Sequence, residues 1–238
     1  MCVHKPVTFI APNARALILK ACELYFCFKL SRMKKFKSED LINDLQNDVQ
    51  LLKRAVESMK GMDKIKLSYP LNNGRWTAIQ ALEHLNIYNR YYLPAIQSAI
   101  TEAKTTRNAW FNSGTLGNYF TNMMKPSDVF QVKNKMKTGK GYNPPASLSA
   151  EQVIAEFMQH QETLLNLLDA ARNSDMNSIR IPISVSKFIR LKLGDTFRFL
   201  IAHEQRHLIQ ARNAIHELGI PTNHFPVIIE TKREISLN

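Results

Sequence analysis

The chain has little that would interrupt long helices or tie a fold together covalently. Eight glycines and ten prolines in 238 residues are few, which disfavours an architecture of many short strands and tight turns. The three cysteines, Cys2, Cys22 and Cys27, all lie in the first 27 residues. A disulfide framework and a thiolate metal site are therefore excluded for the rest of the chain, where any metal must take nitrogen or oxygen ligands. No apolar run is long enough to span a bilayer: the most apolar N-terminal stretch, residues 16–30, contains Lys20, Glu23 and Lys29. That stretch also lacks the unbroken apolar core and small-residue cleavage site of a signal peptide. Internal repeats and low-complexity tracts are missing as well. Together these absences predict a cytoplasmic protein with no membrane partner.

Acidic residues are outnumbered, 20 against 32 basic, for a formal charge of +12. The excess is uneven. Residues 1–37 hold eight basic residues and one acid, a net of +7, which leaves +5 for all the others. Part of that remainder is Lys133, Lys135, Lys137 and Lys140, in what reads as an exposed loop. A mild basic face on a folded domain is more often solvated surface than a nucleic-acid footprint, so no specific nucleic-acid partner is expected. The chain divides accordingly. Residues 1–32 read as an atypical N-terminal extension placed ahead of a second plausible start at Met33, with a weak membrane-surface anchor as the rival account. Residues 33–238 read as one domain.

What is present is helical periodicity. Leu41, Leu45, Val49, Leu52 and Val56 recur at spacings of three and four, with Ser38 placed to cap the helix and Gly61 to end it. A second helix starts at about Thr77 and carries Ile79, Leu82, Leu85, Tyr88, Tyr92 and Ile96, with a kink or break expected at Pro94. Residues 106–148 look irregular apart from a short helical piece at 119–124. The run Thr138-Gly139-Lys140-Gly141 does not have the spacing of a phosphate-binding loop. Ser149 and Gln152 form a capping box for a third helix with the stripe Val153, Phe157, Leu164, Leu165 and Leu168. Residues 179–185 alternate and are β-branched, which suits an extended segment or short hairpin. The fourth helix opens near Asp195 and ends at Gly219, with Pro221 beyond. The expected fold class is all-α, a four-helix bundle with long inter-helix connections.

Within that bundle His203 and His207 are the sharpest chemical feature. Four residues apart on a helix, they differ by about 40° around the axis and about 6 Å along it, so both imidazoles can face one ion. Leu200, Ala211 and Ala214 share their face, which turns it inward. His84, between Ala81 and Tyr88, lies on an inward stripe of the second helix. Three neutral imidazoles with an open fourth position make a reactive site for a divalent metal such as Zn, Ni or Fe, not a closed structural one. Residue spacing alone leaves His84 one of several inward positions, and a buried histidine is also a common core residue.

Two motifs carry a resemblance. Trp76-Thr77-Ala78-Ile79-Gln80-Ala81-Leu82-Glu83-His84-Leu85, with Trp eight residues before His, resembles the second-helix signature of the DinB-like superfamily. Ile201-Ala202-His203-Glu204-Gln205-Arg206-His207-Leu208-Ile209-Gln210 resembles its last-helix signature, two histidines followed by Gln. The likeness spans about residues 36–220 and departs from the common pattern at Gln80, where many members have Glu, and in its long insertion at 106–148. It implies a four-helix bundle in which His84, His203 and His207 bind a divalent metal, often as a homodimer. It also implies a thiol S-transferase chemistry like that of bacillithiol S-transferases, with a low-molecular-weight thiol as cofactor and a small electrophilic molecule as substrate. Lys133, Lys135, Lys137 or Lys140 could then meet an acidic thiol. The alternative is a non-catalytic, metal-stabilised stress or damage-response bundle.

The same residues match H-E-x-x-H, the zinc-protease motif in which Glu activates water. The metzincin continuation would need Gly at 210 and His at 213, where this chain has Gln210 and Asn213. Glu230 is the best remaining third ligand, with no room after it for a second lobe. Glu83 and Glu204 point to other faces than their neighbouring histidines, so neither is assigned as a general base. Of the other histidines, His160 lies near the buried stripe of the third helix, as core or as a neighbour of the site. His216 suits the negative end of the fourth helix. His4 and His224 carry no signal.

Overall fold

A computed structural model describes residues 34–126, 128, 132, 138–223, 225, 226 and 228. The extension 1–32, His4, Lys133, Lys135, Lys137, His224 and Glu230 lie outside the described residues. Four long helices carry the fold: α1 (Ser38–Lys60), α3 (Ala78–Glu102), α5 (Ala150–Ala170) and α6 (Leu193–Glu217). A single turn, α2 (Lys64–Leu67), follows α1, and a shorter helix, α4 (Thr115–Met124), lies between α3 and α5. Helix α3 packs on α5 and α6, α1 on α5 and α6, and α4 on the outer side of α6. The expected all-α bundle is the observed one, with two small antiparallel strand pairs added. Among the described residues no helix is long and apolar enough to cross a membrane.

The apolar stripe of α1 is buried throughout. On α5, Leu167 takes the buried place expected for Leu165, which is only half-buried. Helix α6 departs from the expected amphipathic pattern, because every residue from Leu193 to Ile209 is buried, polar ones included. It is surrounded. Helices α1 and α3 cover one side, α4 and the second strand pair another, and Gln205 reaches the Ile228 carbonyl of the segment that follows (3.3 Å).

Helix starts show where short-range rules hold. Thr77 caps α3 in a full capping box, accepting from the Gln80 amide while Gln80 Oε1 accepts from the Thr77 amide, both at 3.0 Å. Ser149 accepts from the Gln152 amide at 3.4 Å, but its hydroxyl turns to Glu151 and the Gln152 side chain makes no return bond. Ser38 is not a cap: it is the first helical residue of α1, and its amide donates to the Ala109 carbonyl (2.9 Å), a backbone partner that replaces a side-chain one. Asp195 is not the cap of α6 either, since the helix begins two residues earlier and the carboxylate is drawn to residues 113 and 114. Helix α3 runs through Pro94 without interruption. Pro94 is exposed, so water can meet the carbonyl that loses its helical donor.

The described parts of the long connection hold more secondary structure than their composition suggests. Strand β1 (Lys35–Lys37) pairs with β2 (Trp110–Asn112), setting Phe36 opposite Phe111. Helix α4 begins at Thr115, ahead of the expected 119. Gly117 is a helix residue, not a loop marker: a methyl group there would overlap the Asp195 carboxylate. At Gly194 a methyl would overlap the Phe111 ring. These two glycines let α4 and β2 approach α6 closely. Residues 179–185 form the first arm and turn of a hairpin, β3 (Arg180–Ile183) with β4 (Ser186–Lys192). Gly219 ends α6 with a φ of 71°, a left-handed conformation that suits glycine.

Candidate metal centre

Helices α3 and α6 cross with His84, His203 and His207 on the facing sides, all buried. One ring nitrogen from each lies within 4.8 Å of the others. His84 Nδ1 is 2.7 Å from the Tyr142 carbonyl. A carbonyl only accepts, so Nδ1 carries the proton and the Nε2 lone pair is left facing inward. His207 Nδ1 meets Gln210 Oε1 at 2.7 Å, with the same consequence. His84 Nε2 and His203 Nε2 stand 3.2 Å apart, close to the edge of a tetrahedron with metal–nitrogen bonds of about 2.0 Å, roughly 3.3 Å. His203 Nδ1 is buried with no hydrogen-bond partner among the described residues. Its ring is instead held by Phe199, stacked at 5.9 Å, and by Tyr88 at 4.4 Å.

Burial removes the charge from this cluster. The His84 imidazole is pushed down to about 4 by desolvation, partly opposed by the Tyr142 carbonyl. His203 and His207 lie well below the usual imidazole value, through burial first and then the nearness of the other rings. All three are therefore neutral at neutral pH, the state in which imidazole ligates. The donor set fits a divalent metal: three unprotonated imidazoles, two of them with the distal nitrogen fixed by a hydrogen bond.

Besides Phe199, further aromatic residues surround the cluster. Trp76 packs on His84 and His207, with ring centroids at 4.8 and 5.8 Å, and Tyr88 on His84 at 4.9 Å. Tyr142 packs on Tyr88 (4.8 Å), and its hydroxyl donates to the Ser184 carbonyl in the hairpin turn (2.7 Å). Tyr91 and Tyr92 bond the same hairpin, the first donating to the Pro182 and Ile183 carbonyls and the second accepting from the Ser184 amide. The histidines line a cavity of about 250 Å³ whose other walls come from α3, α4, α6 and the hairpin. Its walls include Tyr88, Tyr92, Phe120, Phe199 and Leu191, with Arg206 and Gln210 as polar side chains. Burial and its tyrosine neighbours push the Tyr88 phenol up to about 12, so it remains a neutral hydroxyl.

Glu204 takes no part in this cavity. It is fully buried on another face of α6, where Oε1 accepts from Asn89 Nδ2 and Gln161 Nε2, both at 2.9 Å. Desolvation raises its carboxyl to about 7. The third histidine of the cluster comes from α3, upstream of the H-E-x-x-H match, and the Glu of that match faces α3 and α5 away from the rings. The carboxylate that would activate water in a zinc protease is thus bound elsewhere. Glu83 also points away, paired with Arg90, which reaches Glu156 as well. His160 bonds Asn86 Oδ1 at 3.2 Å and lies outside the cluster, and His216 is exposed in the last turn of α6. Lys140 sits in the turn just before Tyr142. The sequence motifs contained His84, His203, His207, Trp76 and Gln210. Tyr142 carries no local signal, since only the folded connection brings its carbonyl to His84.

Comparison with known proteins agrees with the geometry. The family model described as the DinB superfamily matches residues 48–211, a span that includes both motifs and all three histidines. No curated protein and no solved structure matches the chain. The match covers more than half of the 238 residues, and the chain belongs to the DinB superfamily.

Proposed function

We propose that this protein is a divalent-metal-dependent thiol S-transferase that acts on small electrophilic molecules. The observation that carries the proposal is the convergence of three buried, neutral imidazoles in the wall of a largely apolar cavity. His84, His203 and His207 would hold the metal, which when bound lowers the pKa of a water or thiol at its open position. The protein's own residues do the rest. The Tyr142 carbonyl and Gln210 hold the protons of His84 and His207 on the nitrogens that face away from the centre. Trp76 and Tyr88 fix the ring planes and exclude water from the ligand side. The apolar walls accept an electrophile and keep bulk water from competing with the thiol.

The test measures metal content and thiol-dependent release of chloride from a nitro-activated aryl chloride, for wild type and His84→Ala. Near-stoichiometric metal and turnover in the wild type, both lost in the variant, support the proposal. Metal retained by folded His84→Ala overturns the three-histidine centre. Metal without thiol turnover overturns the transferase and favours a ligand-binding bundle. Peptide-bond cleavage is expected from neither protein.

A further inference from the structure

The hairpin that walls the cavity has two unlike sides. Its inner side is anchored: Ile181, Ile183 and Leu191 are buried, and the hydroxyls of Tyr91, Tyr92 and Tyr142 hold residues 182–184. Its outer side is apolar where it meets solvent. Phe188 is 98 % exposed, Val185 is 71 % exposed, and Ile189 is exposed beside them. A single exposed apolar residue needs no explanation, but three within five residues of a hydrogen-bonded turn and strand indicate a partner.

The charge around them has one sign. Arg180, Lys187, Arg190 and Lys192 all lie on the hairpin, and no acid occurs between Ile179 and Gly194. Lys192 is committed to the Asn112 carbonyl, and Arg180 to the carbonyls of Asn177 and Ile179. Lys187 and Arg190 are exposed and directly flank Phe188 and Ile189, and neither side chain has an ion pair or hydrogen bond among the described residues. We infer that this hairpin docks on an anionic lipid surface, with Phe188 and its apolar neighbours entering the boundary between headgroups and acyl chains and Lys187 and Arg190 meeting the lipid phosphates. Apolar side chains bracketed by cations suit that boundary, and docking there needs no spanning helix. The expectation of no membrane partner rested on the want of a spanning segment, which bears on crossing a bilayer and not on resting against one.

Other occupants fit this surface less well. A symmetric contact between two copies through it would set like-charged hairpins against each other. Val185 and Ile189 give nucleic-acid bases no ring to stack on. A specific protein interface of about 1,000 Å² or more exceeds what three side chains supply, whereas a fluid interface conforms to a small tip. Val185 also lines the cavity, so an apolar molecule dissolved in the bilayer would meet the cavity wall there. That consequence rests on the proposed function; the docking itself does not.

Co-sedimentation of the full chain with vesicles tests the docking. Vesicles of equimolar phosphatidylcholine and phosphatidylglycerol should carry down the wild type, pure phosphatidylcholine should do so about tenfold or more weakly, and raised salt should weaken the binding. Phe188→Ser should bind the mixed vesicles about tenfold more weakly, and Lys187→Glu combined with Arg190→Glu should abolish measurable binding. These side chains are all exposed, so helix content by circular dichroism should not change. Phe188→Trp should bind as the wild type does and shift its emission to shorter wavelength on the mixed vesicles. Failure of the wild type to bind them overturns the inference. Binding that survives both hairpin variants also overturns it and points to the basic stretch 1–37. Self-association of the wild type in ultracentrifugation, lost in Phe188→Ser and without vesicle binding, would make the surface a contact between copies and overturns it too. Hairpin-dependent binding to a DNA duplex in place of vesicles does the same. Every arm reads binding alone, so a missing transferase activity leaves the result intact.

Discussion

Two of the buried polar centres on helix α6, the one at Asp195 and the one at the histidines, lie about 12 Å apart along its axis and are built on opposite principles. At Asp195 both carboxylate oxygens are engaged. Its carboxylate accepts from Ser113 Oγ and the Gly114 amide, both at 2.7 Å, and from Arg198 at 2.9 Å. Arg198 donates further to Ser113 Oγ and Asn118 Oδ1 and lies over the Phe36 ring at 4.8 Å. At the histidines the opposite holds: lone pairs face one another, and His203 Nδ1 has no partner among the described residues. Buried polar groups that satisfy each other make structure, while groups left with spare capacity mark a place for something else to bind.

The comparison breaks most visibly at Asp195. Asp195→Ala leaves Arg198 buried without its carboxylate, and the loss should be about 3–5 kcal/mol in urea unfolding. Adding Arg198→Met should restore a substantial part. The folded fraction should retain its metal stoichiometry, because that pair is separate from the histidines. A cost below about 1 kcal/mol would mean that the network is ornamental.

Acid sharpens the contrast. In the metal-free protein His84 is held at about 4, and His203 and His207 well below the usual 6.5, so the unfolded chain binds protons that the folded one refuses. Stability is therefore full above about 6.5 and falls as pH drops below it, with His84 alone contributing roughly 3 kcal/mol by pH 4. Glu204, raised to about 7, runs the other way and is stabilising as pH falls from 7 towards 4.5. Three imidazoles outweigh one carboxyl, so the net trend is loss on acidification. Urea titrations between pH 7 and 4.5 check it, and bound metal should steepen the loss. A flat profile would show that the histidines are accessible to protons after all.

The smallest effect is expected at Glu204. Glu204→Gln keeps an acceptor for Asn89 and Gln161 and removes a carboxyl that burial already holds half protonated near pH 7. Stability should change by about 1 kcal/mol or less, with metal content unchanged and turnover within a few-fold of wild type. A collapse of activity with metal retained would return Glu204 to the role that its H-E-x-x-H position suggests.

The sequence announced what depends on neighbours along a helix. The stripe of α1, the start of α3 near Thr77, the Gly219 stop and the shared face of His203 and His207 all follow from short-range signals. It hid what depends on distant partners. Ser38 lost its capping role to the Ala109 carbonyl, and Asp195 was drawn from the end of α6 to Ser113 and Gly114. Gly117 fell in the stretch that looked irregular, because nothing local reveals that a carboxylate lies against it. The amphipathic expectation failed for α6 because a helix covered on several sides has no polar face to display.

Tyr142 joins two closures of the chain. Its carbonyl meets His84, 58 residues away, and its hydroxyl meets Ser184, 42 residues away. Both are long loops to close, and each costs chain entropy before it is repaid. The proton on His84 is held by a carbonyl that reaches it across the first of these closures, and the second ties the same residue to the hairpin turn. Metal binding at the centre is therefore coupled to the docking of Tyr142 as well as to the pairing of the helices.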